Sequence, residues 1–205
     1  MARRLSIAGV LFHEFELLDL FGPLEMFGLL PEQFELSLVA ETGDRVASTQ
    51  GPVSVINYRF DDSPRFDLLL VPGGRGTRRE VDNPAMLEWL QDQARTASYV
   101  TSVCTGSALL ARTGLLDGRR ATTNKAAFEW VCSQGKKVKW QKKARWVEDE
   151  RFFTSSGVSA GIDMSLAVIA RLLGEQQAEQ VATWSEYEWH RDPGWDPFAE
   201  VHGLS

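Results

Sequence analysis

In this 205-residue chain, the residue type best suited to covalent chemistry is the cysteine at position 104. It lies in Ser98-Tyr99-Val100-Thr101-Ser102-Val103-Cys104-Thr105-Gly106-Ser107-Ala108-Leu109-Leu110. A β-branched, apolar run leads into the thiol, and glycine and small residues then open a helical pattern. That order predicts strand, tight turn and helix, with the sulfur at the carboxyl end of the strand and the amino end of the helix. Helix amino termini carry unpaired N–H groups and partial positive charge. Both favour the thiolate, which is the nucleophilic form, so a thiol charged at neutral pH is expected. An arbitrary cysteine is more often a small buried hydrophobe. The strand-to-helix setting separates Cys104 from Cys132, whose context Ala126-Ala127-Phe128-Glu129-Trp130-Val131-Cys132 reads as helix core.

Few other residues offer chemistry on their type alone. Asp19, in Leu17-Leu18-Asp19-Leu20-Phe21-Gly22-Pro23, reads equally well as a helix-start carboxylate. Gly73-Gly74 reads in isolation as a strand-ending turn, and Ser107 as a residue packed in the first turn of its helix. The histidines are His13, His190 and His202. A Cys-His pair of the amidotransferase kind needs an imidazole beside the sulfur, and only His13, in the loop after the first apolar run, falls near the expected site edge. No metal-ligand spacing and no phosphate-binding glycine loop is present, so neither a metal nor a cofactor is expected.

The elements that would position these residues follow from periodicity. Short apolar runs at 7–12, 34–39, 67–71, 99–103 and 152–157 predict strands, and 53–58 an edge strand or hairpin arm. A helix starts near Leu18 or at Pro23, because Gly22-Pro23 is a local breaker. Asn83-Pro84 predicts an N-cap followed by a helix that buries Met86, Leu90, Ala94 and Ala97. The helix after Cys104 closes at Gly114, an apolar helix spans 160–173 and ends at Gly174, and a last helix covers 175–189. Strands alternating with helices predict an α/β fold: a doubly wound, mostly parallel sheet with helices on both faces, a flavodoxin-like three-layer sandwich. Residues 1–205 are read as one domain with an aromatic-rich carboxyl-terminal segment at 190–205. Ligands of such sheets bind outside the carboxyl ends of the strands, where Cys104, Gly73-Gly74 and the loop after Phe12 would converge.

Bulk properties narrow the function classes. The net charge of −6 argues against nucleic acid as the main partner. Two cysteines do not make a disulfide framework, which favours a reducing, cytoplasmic setting. No apolar run is long enough to span a membrane, and the run after Arg3-Arg4 is too short for a signal peptide. The basic segment 135–146 with interleaved Trp140 and Trp146 reads as a two-stranded excursion with a solvated lysine face. The aromatics of 184–198 should dock on the body or on a partner chain.

Several motifs together resemble the ThiJ/PfpI superfamily, a branch of the class I glutamine amidotransferase-like fold, from about Ser6 to Trp189. They are Leu17-Leu18-Asp19-Leu20-Phe21-Gly22-Pro23-Leu24-Glu25, Val71-Pro72-Gly73-Gly74, Val103-Cys104-Thr105-Gly106-Ser107, Ala121-Thr122-Thr123 and Gly157-Val158-Ser159-Ala160-Gly161-Ile162-Asp163. Within the superfamily the chain looks most like isonitrile hydratases and the ligand-sensing domains of AraC-type regulators. The resemblance implies that Cys104 is the nucleophile, that Asp19 faces its sulfur, and that Thr105 borders the site. It implies that the N–H groups of Gly73 and Gly74 face the substrate. It also implies a small-molecule substrate and a homodimer, with the first helix near the interface. Many relatives carry His after the Thr-Thr pair, where this chain has Asn124. That departure disfavours Cys-His hydrolase or amidotransferase chemistry and places Asn124 in the substrate pocket. The resulting expectation is a hydratase that adds water to an isonitrile through a thioimidate on Cys104. The alternatives are a small-molecule sensor without catalysis and a protein that works by cysteine oxidation. The sequence ends at Ser205 without the helix-turn-helix extension of the regulators, which disfavours direct DNA binding.

Overall fold

The computed structural model describes residues 3–204. In chain order its elements are β1 (Leu5–Leu11), α1 (Leu17–Gly28), β2 (Phe34–Ala40), β3 (Arg45–Ala47), β4 (Val53–Val55), β5 (Tyr58–Arg59), β6 (Leu68–Val71), α2 (Thr77–Glu80), α3 (Pro84–Ala94), β7 (Tyr99–Val103), α4 (Gly106–Arg112), β8 (Arg120–Ala121), α5 (Phe128–Gln134), β9 (Lys139–Trp140), β10 (Trp146–Asp149), β11 (Phe152–Ser155), α6 (Ala160–Leu173), α7 (Glu175–Trp184) and α8 (Phe198–Val201). The apolar runs form a seven-stranded sheet of order β10-β11-β7-β6-β1-β2-β5. Its neighbours are parallel except β10 and β11, which are antiparallel. The central strand β6 is buried at all four positions, as a strand covered on both faces must be. Helices α1 and α7 pack on α6, and α2, α3 and α5 pack around or beside α4, giving the expected three layers.

The strand order reverses direction beside β1. The chain moves outward from β1 to β2 and then returns to β6 on the other side. Such a switch point opens a crevice at the carboxyl ends of the strands. The loops that meet there are 12–16 after β1, 72–76 after β6, 104–105 after β7 and 156–159 after β11.

Three local expectations are revised and one pair of alternatives is resolved. Residues 53–58 split in two: β4 pairs antiparallel with β3, while β5 becomes the edge of the main sheet. Of the two expected starts of the first helix, the one near Leu18 holds: α1 begins at Leu17 and carries Pro23 in its interior. The buried face of Leu20, Leu24, Met26 and Phe27 carries the helix through a residue that ordinarily costs about 3 kcal/mol in a helix interior. The last long helix stops at Trp184, not at 189. Glu186 turns left-handed at φ 50°, and the Tyr187 N–H returns to the Ala182 carbonyl at 2.9 Å. Beyond that turn, the Tyr187 hydroxyl (3.1 Å) and the His190 N–H (2.8 Å) both donate to the buried carboxylate of Asp163. Finally, the basic segment is not a self-paired excursion: β9 pairs with β8 and β10 with β11. Its lysines 136, 137, 139, 142 and 143 are exposed, as expected, while Trp146 is buried in the core.

The carboxyl-terminal segment docks through backbone and small residues more than through its rings. The Arg145 N–H donates to the Pro193 carbonyl and the Asp196 N–H to the Lys143 carbonyl, both at 2.8 Å. Ala199 and Leu204 are buried beside Phe128, whereas Trp184, Trp195 and Phe198 stay about half exposed. No helix among the described residues is long and apolar enough to cross a membrane, and no cluster of metal-ligating side chains occurs among them.

Candidate active site

Between the end of β7 at Val103 and the start of α4 at Gly106 the chain has two residues in which to change from strand to helix. Cys104 makes the change at φ 57°, in the left-handed region. For a residue with a Cβ that conformation costs about 1–3 kcal/mol and persists only where the surroundings enforce it. Here they do. The Cys104 N–H donates to the carbonyls of Ser155 (3.2 Å) and Ser156 (3.4 Å) at the end of β11. Its carbonyl accepts from Ser107 Oγ at 3.1 Å and Thr123 Oγ1 at 2.9 Å. The Ser107 bond comes from the first turn of α4, so Ser107 does pack where the sequence placed it.

Asp19 reaches the same spot from the first turn of α1 and is fully buried. Its Oδ2 accepts the Gly73 N–H at 2.9 Å, while Oδ1 is buried without a hydrogen-bond partner. The carboxyl and the Cys104 thiol shift each other's titration, but their contact falls outside ordinary hydrogen-bond geometry. Two glycines permit this closeness. A Cβ at Gly73 would lie 2.6 Å from both the Thr105 N and Oγ1 and 2.8 Å from Asp19 Oδ2. A Cβ at Gly157 would lie 2.7 Å from Cys104 Sγ and 2.5 Å from Asn124 Nδ2.

Burial dominates the electrostatics. It pushes the Asp19 carboxyl well above the usual aspartate range, against the opposing pull of the Gly73 N–H and with help from the negative charge of Glu16. It also pushes the Cys104 thiol well above its ordinary value, reinforced by the charge of Asp19 and opposed by the Thr105 N–H on the sulfur. Burial therefore works against the expected thiolate. The short α4 and one backbone N–H favour the anion less than the loss of water disfavours it. Burial pushes each group toward its neutral form.

The structure brings together every residue that the sequence reading assigned to the site, though not always in the expected attitude. Cys104, Thr105, Gly74 and Asn124 line one pocket of about 740 Å³, together with Glu16, Gln50, Arg75, Arg78, Lys125, Trp130 and the stretch His202-Gly203-Leu204. Asp19 and Gly73 are not among its walls. The N–H groups of Gly73 and Gly74 do not face the pocket unpartnered. The first is directed at Asp19, and the second donates to Thr105 Oγ1 at 3.1 Å. Those two glycines hold the site residues in register. Asn124 turns its Oδ1 to the Ala127 N–H at 3.0 Å, closing the turn before α5. His13 is two-thirds exposed beside Glu14 and lines a different pocket, so it does not approach the sulfur.

The sequence reading did not single out Arg75, Arg78, Lys125 or Trp130. The first two stand in Gly73-Gly74-Arg75-Gly76-Thr77-Arg78, and cationic residues in a loop directly after a strand-ending Gly-Gly were the signal available. Lys125 is buried, with Nζ donating to Thr122 Oγ1 at 2.8 Å and the Ala144 carbonyl at 2.6 Å. Burial lowers its pKa to about 8.

Comparison with known proteins matches residues 5–171 to the DJ-1/PfpI family. The chain is 37% identical over 183 residues to the isonitrile hydratase of Pseudomonas putida, covering 89% of this chain and 78% of that one. It is 31% identical over 192 residues to the HTH-type transcriptional regulator GbdR of Pseudomonas aeruginosa, where it covers 89% of itself but spans about half (51%) of the regulator. Among solved structures, a THiJ/PfpI family protein from Pseudomonas syringae superposes with a TM-score of 0.85 at 31% identity, covering 98% of this chain and 84% of that one.

Proposed function

The chain belongs to the DJ-1/PfpI family, and we propose that within it this protein is a cysteine-dependent enzyme of isonitrile hydratase type, with Cys104 as nucleophile and Asp19 as proton relay. The observation that carries the proposal is the pair itself. A thiol on a left-handed turn lines a pocket, and directly behind it lies a buried carboxyl group with one oxygen free of other partners. The similarity to the Pseudomonas putida isonitrile hydratase supports the choice of substrate class.

The terminal carbon of an isonitrile is attacked by sulfur and must gain a proton. With Asp19 held in its acid form, the carboxyl gives its proton to that carbon while accepting the one that leaves the thiol. The product is a thioimidate, R–N=CH–S–Cys104, and Asp19 is left protonated. Water then adds to the same carbon. Asp19 relays a proton from the water to the nitrogen, the C–S bond breaks, and the sulfur recovers a hydrogen as R–NH–CHO leaves. One isonitrile and one water give one N-substituted formamide. Relay of this kind is worth about 10² to 10⁴-fold in rate, and the covalent step divides one difficult addition into two. In this scheme Thr105 supplies its N–H to the sulfur, Gly73 and Gly74 fix Asp19 and Thr105, and Asn124 bounds the substrate. No imidazole takes part, and no metal or cofactor is required by the scheme. The exposed Leu18 and Phe21 on α1 support a homodimer through that helix, and the paucity of cysteine supports a cytoplasmic setting.

Formation of N-cyclohexylformamide from cyclohexyl isonitrile tests the proposal. The protein should turn it over, and Cys104→Ala should abolish turnover. Unchanged turnover in that variant removes Cys104 from the mechanism. The similarity to GbdR supports a second reading, a ligand-sensing domain. Saturable ligand binding without any product would favour it.

A further inference from the structure

The pocket that exposes Cys104 also exposes two guanidinium groups without a carboxylate partner among the described residues. Arg75 and Arg78 both line it, and neither is in a salt bridge among the described residues. Their neighbour Arg79 behaves differently, pairing with Glu80 and Glu14 outside the pocket. Arg78 is held in place without being neutralised. Its guanidinium carbon lies 4.0 Å from the centroid of the Trp130 ring, and its Nη1 donates to Thr77 Oγ1 at 3.4 Å. Thr77 Oγ1 is in turn 3.1 Å from the hydroxyl of Thr105, the residue after the nucleophile. A guanidinium lying flat on a ring keeps the edges of its planar fork free, and that fork matches a carboxylate bidentately.

The carboxylates of the same lining, Glu16 and Glu129, form no ion pair with either arginine. Glu16 is engaged by Gln50 Nε2 at 2.5 Å, and Lys125 spends its protons on Thr122 and Ala144.

The geometry points to a substrate that carries its own carboxylate: a small isonitrile acid whose anionic end sits on Arg78 and Arg75 while its terminal carbon meets Cys104 Sγ. The reactive end of this inference rests on the hydratase proposal, and the anionic end does not.

The test compares isocyanoacetate with its methyl ester, which offers the same reactive carbon without the charge, in wild type, R78A and R78K. Wild type should show a kcat/KM higher for the acid by about 10 to 100-fold, the scale of one charge-assisted bidentate contact. R78A should erase that preference, lowering kcat/KM for the acid far more than for the ester, and R78K should restore it only in part. Equal turnover of acid and ester by wild type, or a preference that survives R78A, overturns the inference and leaves the hydratase reading standing. If neither isonitrile reacts, the hydratase reading has failed and the anionic end is judged separately by calorimetry with N-formylglycinate and N-formylglycine methyl ester. Saturable binding of the anion alone, lost in R78A, supports the subsite, and equal or absent binding of both refutes it.

Discussion

Gly73→Ala tests whether the closeness of the site residues is what makes them work. The added Cβ would stand 2.6 Å from the Thr105 backbone nitrogen, 2.6 Å from its hydroxyl and 2.8 Å from Asp19 Oδ2. None of these neighbours is the loose end of a flexible side chain. The Thr105 nitrogen follows the left-handed Cys104, and Asp19 Oδ2 is bonded to the Gly73 N–H itself. Relieving the clash to an ordinary contact of 3.4 Å asks for a displacement of ~0.8 Å at the point where carboxyl, sulfur and loop meet. Overpacking of this size costs about 1–3 kcal/mol, or a Tm loss of about 2–12 °C in a chain of this length. The larger effect is on chemistry, where a 1 Å misplacement costs about 10²-fold. The assay is kcat/KM on an isonitrile beside a thermal melt. Gly114→Ala is the control: its φ is +79° with nothing within 4 Å of the added Cβ, so it strains the backbone far from the sulfur. It should lower Tm through about 1–2 kcal/mol of left-handed strain and leave kcat/KM alone. A Gly73→Ala protein that keeps kcat/KM within a factor of a few of wild type would refute the argument that the site depends on this approach.

Two more outcomes are expected. In Asp19→Asn, the pH midpoint of Cys104 alkylation by iodoacetamide should move down, because the charge of Asp19 is, after burial, the main influence raising the thiol; turnover should fall by about 10² to 10⁴-fold, and an upward shift of the midpoint would contradict the electrostatic account. In Arg145→Met, the buried carboxylate of Asp163 loses the partner that holds it at 2.6 and 2.8 Å, which costs about 3–5 kcal/mol; a melt should fall by roughly 10 °C, and an unchanged Tm would show that this pair does not anchor the carboxyl-terminal segment.

The parts of the fold that were legible in the sequence are those where a single physical signal dominates. Runs such as Leu68-Leu69-Leu70-Val71 have no polar face and must be covered on both sides. Asn83 was readable as an N-cap because its side chain suits only that place, and its Oδ1 accepts the Ala85 N–H at 3.1 Å. The parts that were not legible are those where a distant residue overrides a local preference. Pro23 reads as a breaker until the burial of α1 is known. The stretch after Trp184 continues a helical pattern until Asp163, on another helix, draws Tyr187 and the His190 backbone to itself. The pairing of β9 with β8 depends on a strand only two residues long, which carries no periodicity to read.

The candidate site divides along the same line. Its location was readable, because a thiol between a β-branched run and a small-residue helix start can only sit at a sheet edge. Its ionisation was not. From the chain alone, the amino end of α4 argues for a thiolate, since helix N–H groups are local to the sequence. Burial is not local: Cys104 is 7% exposed and Asp19 0%, because α1, the 73–74 loop and Gly157 close over them from three separate stretches of chain. The loss of water pushes both groups toward their neutral forms, against the pull of the helix and the Thr105 N–H. That push bears on which reactions suit the pocket. A permanent thiolate would serve any electrophile that entered. A protonated pair serves a substrate that must receive a proton and a sulfur at the same carbon, which is the demand an isonitrile makes.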